Sequence, residues 1–236
     1  MLKRTYDRKT TTMALGKADL RAKIGNAFGL VAGLSCPGAT SACLAVCYAS
    51  KIERIFACSR KIVMNNFDLL KSADFDTTVD LLTDMLNEFV NECDKYGSDK
   101  IFRIHWDGDF FSMTYTMAWA CVMERFDSVR FWTYTRNARA AMALSNIANL
   151  SLYFSADCDN IDTARHLAAD GIKIATMTDT FADGRQMMQD INGKNGIACP
   201  EQVGKIPLIA ETGGACANCK LCLTGNNNIR FATSKG

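Results

Sequence analysis

The sequence predicts an α/β protein built on a partial or complete (β/α) TIM-like barrel. Short apolar segments alternate with helical segments along most of the chain, and this alternation is typical of βα units around a parallel sheet. The 236 residues are enough for one sizeable core, so a single domain is the default. A doubly wound open sheet is the competing architecture, because the predicted strands do not by themselves close a barrel.

The first predicted elements are one strand and two helices. Residues 28–33 are predicted as a strand that leads into a cysteine-containing loop, and residues 51–71 as a helix. Asp76 is the predicted N-cap of a second helix, which reaches Tyr96 and ends at Gly97.

Strands and helices then alternate regularly. Ser112 is the predicted cap of a helix that reaches Phe126, and Gly171 ends the helix that starts at Ile161. A further helix is predicted over residues 137–146, and a further strand over 206–210. The remaining predicted strands are 101–105, 129–135, 150–155 and 172–178.

Composition limits the class of protein. Lys and Arg total 27 and Asp and Glu total 25, so the chain as a whole has no field that would steer it to nucleic acid or membrane. We expect a cytoplasmic protein, because neither a signal peptide nor an apolar run of about 20 residues is apparent. The predicted organisation is a basic N-terminal arm (1–25), a barrel core (26–198) and a C-terminal cysteine-rich metal-binding segment (199–236) packed on the barrel. The arm is interpreted as a solvated tail or as a phosphate-contacting segment.

Eleven cysteines are the unusual feature of the composition. In a reducing compartment, closely spaced cysteines bind metal or take part in catalysis more often than they form disulfides. Four solitary cysteines are predicted to be core side chains, namely Cys58, Cys93, Cys121 and Cys158. The other seven form two groups of predicted metal ligands, which are Cys36, Cys43 and Cys47 in the first and Cys199, Cys216, Cys219 and Cys222 in the second.

The spacing of the second group favours iron. A Cys-x-x-Cys-x-x-Cys run with a distant Cys-Pro is typical of iron–sulfur ligation, although zinc at these cysteines is the alternative. Cys43 and Cys47 are four residues apart, so both sulfurs lie on one face if a helix has begun there. Three converging thiolates would leave one metal position open. One shared [4Fe–4S] cluster and two separate metal sites both agree with this pattern.

Polar residues follow three of the predicted strands. In both candidate architectures the carboxyl ends of parallel strands gather functional groups at one rim. Asp-Gly-Asp is also ordinary turn chemistry. The candidate catalytic residues at this rim are His105, Asp107, Asp109 and Arg136, with Ser155 following a neighbouring strand.

The segments 102–112 and 129–136, together with Trp119, resemble the core of the phage gene product 88 family. The segments 43–49 and 199–222 are similar to the cysteine blocks that flank this core. The resemblance covers most of the chain from about Cys36 onward, and it implies a bacteriophage protein that acts in the host cytoplasm.

The family also distantly resembles the radical S-adenosylmethionine superfamily. That resemblance implies a partial barrel with a [4Fe–4S] cluster on three cysteines after the first strand. By position, Asp107, Gly108 and Asp109 would be the counterpart of the motif that contacts the methionine end of S-adenosylmethionine, with Ser155 nearby. The cysteine spacing differs, because six residues separate Cys36 from Cys43, where the superfamily has three.

Three hypotheses of function follow. The first is a radical-type iron–sulfur enzyme, and the second is an electron-transfer or redox-sensing iron–sulfur protein. The third is a zinc-stabilised protein that binds or processes nucleic acid, suggested by the basic arm and Arg136. We expect an iron–sulfur protein of barrel type, with catalysis and substrate open.

Overall fold

A computed structural model describes residues 1–11, 24–210 and 213–233. A short 3-10 helix lies at Arg8–Thr10. The strands are β1 (Ile101–Arg103), β2 (Arg130–Thr135), β3 (Leu150–Ala156), β4 (Lys173–Thr178), β5 (Ile197–Ala198), β6 (Ile209–Ala210), β7 (Gly213–Gly214) and β8 (Ile229–Ala232). The helices are α1 (Ser41–Ala45), α2 (Tyr48–Ile55), α3 (Ala57–Leu70), α4 (Phe75–Tyr96), α5 (Met113–Arg125), α6 (Ala138–Leu144), α7 (Ile161–Ala169), α8 (Phe181–Asn192), α9 (Ala215–Cys219) and α10 (Leu221–Thr224).

Six strands form one parallel sheet in the order β1-β2-β3-β4-β8-β5. Strands β1 to β4 lie side by side in chain order, as in a barrel. Residues 26–30 extend the sheet beyond β1, because Ala27 bridges Arg103 in parallel and the Leu30 amide donates to the Asp107 carbonyl at 2.9 Å. The predicted α/β fold is therefore confirmed as a parallel half-barrel sheet.

The two faces of the sheet are lined by alternating residues. Phe102, Phe131 and Phe154 point into the main core beneath the helices. Their neighbours Trp132 and Tyr153 point to the opposite, concave face. This alternation is the two-residue period of a strand, and it leaves an apolar concave face for another segment to cover.

The C-terminal segment covers the concave face. Leu223 packs against Ile101 and Trp132, and its carbonyl accepts a hydrogen bond from the Ser151 hydroxyl at 2.6 Å. The same segment supplies β8, which lies between β4 and β5. The predicted boundary at residue 198 therefore cuts through the sheet.

Several predicted elements need correction. The strand predicted over 206–210 is wrong, because only Ile209–Ala210 is extended and it pairs antiparallel with β7 outside the main sheet. The helix predicted over 51–71 is two helices separated at Phe56, whose φ of −116° and ψ of 93° are extended. The N-cap of α4 is Asp74, since its side chain accepts from the Thr77 amide. Gly97 ends α4 in the left-handed region, as predicted.

The N-terminal residues are packed against the fold. Leu2 is 2% exposed, and Arg4 forms an ion pair of 3.0 Å with Glu92. The solvated-tail interpretation is therefore wrong for residues 1–11. The basic residues of the arm at positions 17, 21 and 23 lie outside the described residues.

The solitary cysteines divide into two kinds. Cys93 is buried on α4, and Cys121 is half-buried against the main core, as predicted. Cys58 and Cys158 are exposed, so the core prediction is wrong for both. Cys58 lies in the first turn of α3 and Cys158 in the loop after β3, where the main core does not reach. No helix in the described parts of the chain is long and apolar enough to cross a membrane.

Candidate metal centres at two cysteine groups

Four cysteines, here named the C-terminal group, lie together at the concave face of the sheet. Cys216 and Cys219 belong to α9, Cys222 lies in α10, and Cys199 directly follows β5. Cys216 and Cys222 pack against the cluster formed by Trp132 and its neighbours. All four are free thiols, and Cys222 lies near enough to Cys199, Cys216 and Cys219 for their charges to affect one another.

The thiols of the C-terminal group influence one another's ionisation. Burial and, to a smaller extent, the charge of Cys222 raise the pKa of Cys216 to about 12. Burial likewise raises the pKa of Cys222 to about 11, with contributions from Cys199 and Cys219. Metal ligands are thiolates, so four of them in a half-buried space need positive charge to offset them.

Two cations lie beside this group. Lys9 forms an ion pair of 2.8 Å with Glu201. Burial lowers the pKa of Lys9, but Glu201 and the charges of Cys216 and Cys199 raise it, and the net effect is a raised pKa. Arg103 lies over the Trp132 ring at 5.1 Å from its centroid. Neither cation was among the predicted site residues. The sequence could have indicated Arg103, because residues two apart on a strand point to the same face and Arg103 therefore shares a face of β1 with Ile101.

Hydrogen-bond donors also face the C-terminal group. The Tyr134 hydroxyl faces the Cys222 sulfur, and its stabilisation of the ionised form lowers the pKa of Cys222 in opposition to burial. The buried Trp132 Nε1–H has no hydrogen-bond partner among the described residues, and its side chain belongs to the cluster that Cys216 and Cys222 pack against. Unpaired buried donors are rare and call for a physical explanation.

The sulfurs are not closely packed around a single point. Within residues 1–11, 24–210 and 213–233, only Asp157, Cys158 and Asp159 place three metal-ligating atoms all within 4.8 Å of one another. The C-terminal group and the other predicted cysteine group both lack such a triplet.

Cys36, Cys43 and Cys47, here named the rim group, lie in the loop that follows residues 26–30. Cys43 is in α1, whereas Cys47 caps α2, where its sulfur accepts from the Ser50 amide at 3.4 Å. The prediction that Cys43 and Cys47 share one helix face is wrong, because α1 ends at Ala45. The two sulfurs remain neighbours, since the charge of Cys47 raises the pKa of Cys43.

The loop that carries Cys36, here named the rim loop, packs closely against the end of β2. A Cβ on Gly38 would lie 2.6 Å from the Arg136 carbonyl carbon and 2.9 Å from the Asn137 amide nitrogen. No side chain fits there, so the sequence needs glycine two residues after Cys36. The rim group is therefore held at the carboxyl ends of the strands, as predicted.

Carboxylates dominate the surroundings of the rim group. Burial raises the pKa of Cys36 to about 12, with Asp109 and Asp107 contributing. Cys43 also has a pKa raised mainly by burial, and the Arg136 guanidinium acts in the opposite direction. The rim and C-terminal groups thus have different charged neighbours.

Asp109 is fully occupied by hydrogen bonds within the protein. Its carboxylate accepts from the Phe110 amide at 2.7 Å, from the Thr135 hydroxyl at 2.6 Å and from the Arg136 amide at 2.8 Å. Burial raises the pKa of Asp109, and these three bonds oppose that shift. Asp109 therefore joins the turn after β1 to the end of β2.

Arg136 is engaged by a buried acid. Its Nε and Nη2 both donate to Asp157 Oδ2, at 3.1 and 3.0 Å. The Thr40 hydroxyl donates to the same oxygen at 2.6 Å. Thr40 also caps α1, so this network ties the rim loop to β2 and β3. Thr40 and Asp157 were not among the predicted site residues.

Asp107 faces a second carboxyl group. Its pKa is raised to about 8, first by burial and then by Glu53. Neither carboxyl oxygen of Asp107 has a hydrogen-bond partner at ordinary distance among the described residues. The Gly108 amide lowers the pKa of Asp107 but less than burial and Glu53 raise it, and a protonated Asp107 can donate to Glu53. Glu53 accepts from the Ala32 amide at 2.7 Å. Gly108 has a φ of 76°, and a Cβ there would lie 2.8 Å from the Leu30 carbonyl oxygen.

The structure does not place His105 or Ser155 in contact with the cysteines. His105 is buried among the rings of Phe28, Phe110 and Tyr115, and its Nε2 lies 2.8 Å from the Tyr115 hydroxyl. Burial lowers the pKa of His105 to about 3, so the ring is neutral at physiological pH. Ser155 is half-buried on β3 opposite Ala175.

Known proteins resemble this chain along its whole length. It is 44% identical over 241 residues to the gene 88 protein of Mycobacterium phage D29, which covers 99% of this chain and 98% of that protein. It is 45% identical over 240 residues to the gene 88 protein of Mycobacterium phage L5, with the same coverage. No solved structure matches. A family model described as gene product 88 matches residues 1–225. The chain therefore belongs to the gene product 88 family, as its sequence motifs predicted.

Proposed function

We propose that this chain is a redox protein that binds an iron–sulfur cluster through the C-terminal group. The observation that carries the proposal is that Cys216 and Cys222 pack against the concave face of the sheet, with Cys199 and Cys219 near enough to Cys222 for their charges to act on it. The sulfurs come from a strand end and two short helices, so segments that are separate in the sequence supply the four ligands.

The arrangement of the sulfurs supports a cluster over a single zinc ion. Tetrahedral zinc with bonds of about 2.3 Å to sulfur brings its ligands to roughly 3.8 Å of one another. No three sulfurs of the C-terminal group lie within even 4.8 Å of one another. In a four-iron cluster each thiolate binds a different iron, so the sulfurs stand farther apart.

The surrounding side chains suit a buried anionic group. Lys9 and Arg103 supply positive charge, and each also pairs with an acid at 2.8 Å, Lys9 with Glu201 and Arg103 with Asp7. Trp132 Nε1–H and the Tyr134 hydroxyl can donate hydrogen bonds to sulfur. When bound, a cluster would supply one-electron transfer. The aromatic rings limit access of water, and hydrogen bonds to sulfur adjust the reduction potential.

We extend the proposal to a second cluster on the rim group. Three cysteines leave one iron without a protein sulfur. Two charged neighbours of this group, Asp109 and Arg136, are already engaged by Thr135 and by Asp157. Neither is free to hold the amino or carboxylate group of S-adenosylmethionine, which favours redox chemistry over the radical-type reaction. The carboxyl oxygens of a third neighbour, Asp107, have no hydrogen-bond partner among the described residues, so the radical-type alternative rests on Asp107.

Anaerobic purification tests this proposal through iron, sulfide and zinc analysis of three proteins. Wild type is expected to be brown with matched iron and sulfide, and Cys219→Ala to lose one cluster. Cys58→Ala, which removes an exposed thiol outside both groups, should keep the wild-type content. A colourless protein with stoichiometric zinc, or unchanged iron in Cys219→Ala, would overturn the assignment. Cleavage of S-adenosylmethionine by the reduced protein would restore the radical-type alternative.

A further inference from the structure

A basic cleft lies at the β5 edge of the sheet, and Cys199 of the C-terminal group directly follows the β5 part of its wall. It has a volume of about 700 Å³ and is walled by α8, by β5 and by the segment after Pro200. Its cations are Arg185, Lys205 and Arg230. Apolar residues such as Phe181 and Ile197 form the rest of the wall. This size and mixture of surfaces are typical of small-ligand sites.

Arg230 is the buried cation of the cleft. It is 7% exposed, and its Nε has no hydrogen-bond partner within the described ranges. Its Nη1 donates to the Phe181 carbonyl, which fixes the guanidinium beside α8. A buried Arg normally uses its forked donors on a carboxylate or phosphate, and Arg230 has one hydrogen bond to a carbonyl instead.

The cleft contains positive charge without a compensating acid. Burial lowers the pKa of Arg230, and the neighbouring Arg185 lowers it further. No Asp or Glu lines the cleft, and the structure records no ion pair for these three cations within its described residues. Bringing two guanidinium groups together costs free energy that a bound anion would recover.

A second cleft continues the first along β5. It has a volume of about 220 Å³ and shares Gly196 and Ile197 with the larger one. It adds the cations Lys173 and Lys194 and the amide side chains of residues 226–228, again without a carboxylate. Five cations therefore surround one sheet edge of a chain whose net charge is only +2.

We propose that this pair of clefts binds phosphate groups, with the first phosphate on Arg230, Arg185 and Lys205. Arg donors match the oxygens of phosphate in number and direction. The apolar wall beside them can hold a nucleobase or sugar. The ligand is therefore a phosphorylated compound of the nucleotide type, present either as a free nucleotide or as a strand of nucleic acid.

Titrations with a fluorescent 12-nucleotide single strand and with a 5′-mononucleotide distinguish these two sources. Tighter binding of the strand, weakening as salt is added, assigns the clefts to a phosphodiester backbone. Equal affinity for both ligands assigns the larger cleft to a free nucleotide. Absence of binding to either ligand overturns the proposal.

The double variant Arg185→Gln with Lys205→Gln tests the site itself, because both side chains are exposed. We expect binding to weaken about tenfold for each charge-assisted hydrogen bond that the substitutions remove. For a single strand, the slope of log affinity against log salt should fall by about 1.4. The matched control is Arg60→Gln with Lys61→Gln on α3, which packs beside Gly29 at the opposite edge of the sheet. Equal reductions of affinity in both double variants, or no reduction in the first, would overturn the proposal.

Discussion

The two cysteine groups have opposite surroundings. The C-terminal group lies against aromatic residues on the concave face, next to Lys9 and Arg103. The rim group lies in a loop beside Asp107 and Asp109, and exposed apolar residues of that loop and the adjoining helices include Leu34, Leu44 and Phe56. Closed, fully ligated metal sites usually stabilise a fold, while sites with an open position exchange ligands or react. We therefore expect the two cysteine groups to contribute differently to the stability of the fold, and we expect their clusters to have different reduction potentials.

Loss of the C-terminal ligands is expected to have the largest effect. Cys222→Ala should lower the melting temperature by roughly 10 °C, because metal binding is coupled to folding and each kcal/mol shifts Tm by about 2–4 °C in a chain of this size. Cys43→Ala should produce a smaller fall, since the rim loop does not contribute to the sheet. Anaerobic calorimetry on the metal-loaded proteins measures both.

Equal shifts in the two variants would show that the rim group is as much part of the folded core as the C-terminal group. Cys58→Ala gives the change in melting temperature caused by removing an exposed thiol that belongs to neither group. A shift in that control would point to a general effect of removing cysteine.

The hydrogen bonds that hold the rim are expected to have the second largest effect. Asp109→Asn cannot accept from all three of its donors, so the free energy of unfolding should fall by about 2 kcal/mol. Denaturant titration measures the decrease. Asp127→Asn, which changes an exposed acid on the loop before β2, should have no effect. A stability equal to wild type in Asp109→Asn would show that solvent can replace these bonds.

Local periodicity predicted the elements whose faces are buried. The apolar stripe of α4 and the strands β2 and β3 were found because each repeats its buried face several times. Strand β8 was missed because it has four residues, one of them Arg230. β8 pairs with strands that lie far from it in the sequence, and such pairing leaves no signal in the local sequence pattern.

The identity of the candidate ligands was readable from cysteine spacing, but their surroundings were not. Lys9 lies about 200 residues before the cysteines it accompanies, and Arg103 lies inside the predicted strand 101–105, where nothing local shows which segment it faces. The break between α1 and α2 was also hidden, because a spacing of four residues fits one helix equally well. Contacts between distant segments are decided by packing, and a single sequence carries no direct signal of them.

The charges around the two groups are expected to separate their reduction potentials. Cations stabilise the more negative, reduced state of a cluster, so the C-terminal cluster should have the higher potential. Lys9→Gln in the Cys43→Ala background, where one cluster remains, should make the potential more negative. Potentiometric titration followed by electron paramagnetic resonance measures it, with Lys61→Gln as the control. An unchanged potential would mean that Lys9 does not act on the cluster.

A pH-dependent effect on stability is expected at the carboxyl pair of Asp107 and Glu53. Because the folded state raises the pKa of Asp107 to about 8, the protein retains a proton that the unfolded chain releases near pH 4. The stability associated with that proton is complete below about pH 4 and is lost as the pH rises through about 8. Asp107→Asn keeps a donor for Glu53 without a titrating group. Its melting temperature should therefore match wild type near pH 4 and exceed it by a growing margin as the pH rises toward 8, as thermal scans from pH 4 to pH 9 would measure. If the melting temperatures of the two proteins change identically with pH, Asp107 and Glu53 do not hold the proton and do not cause the pH dependence of stability.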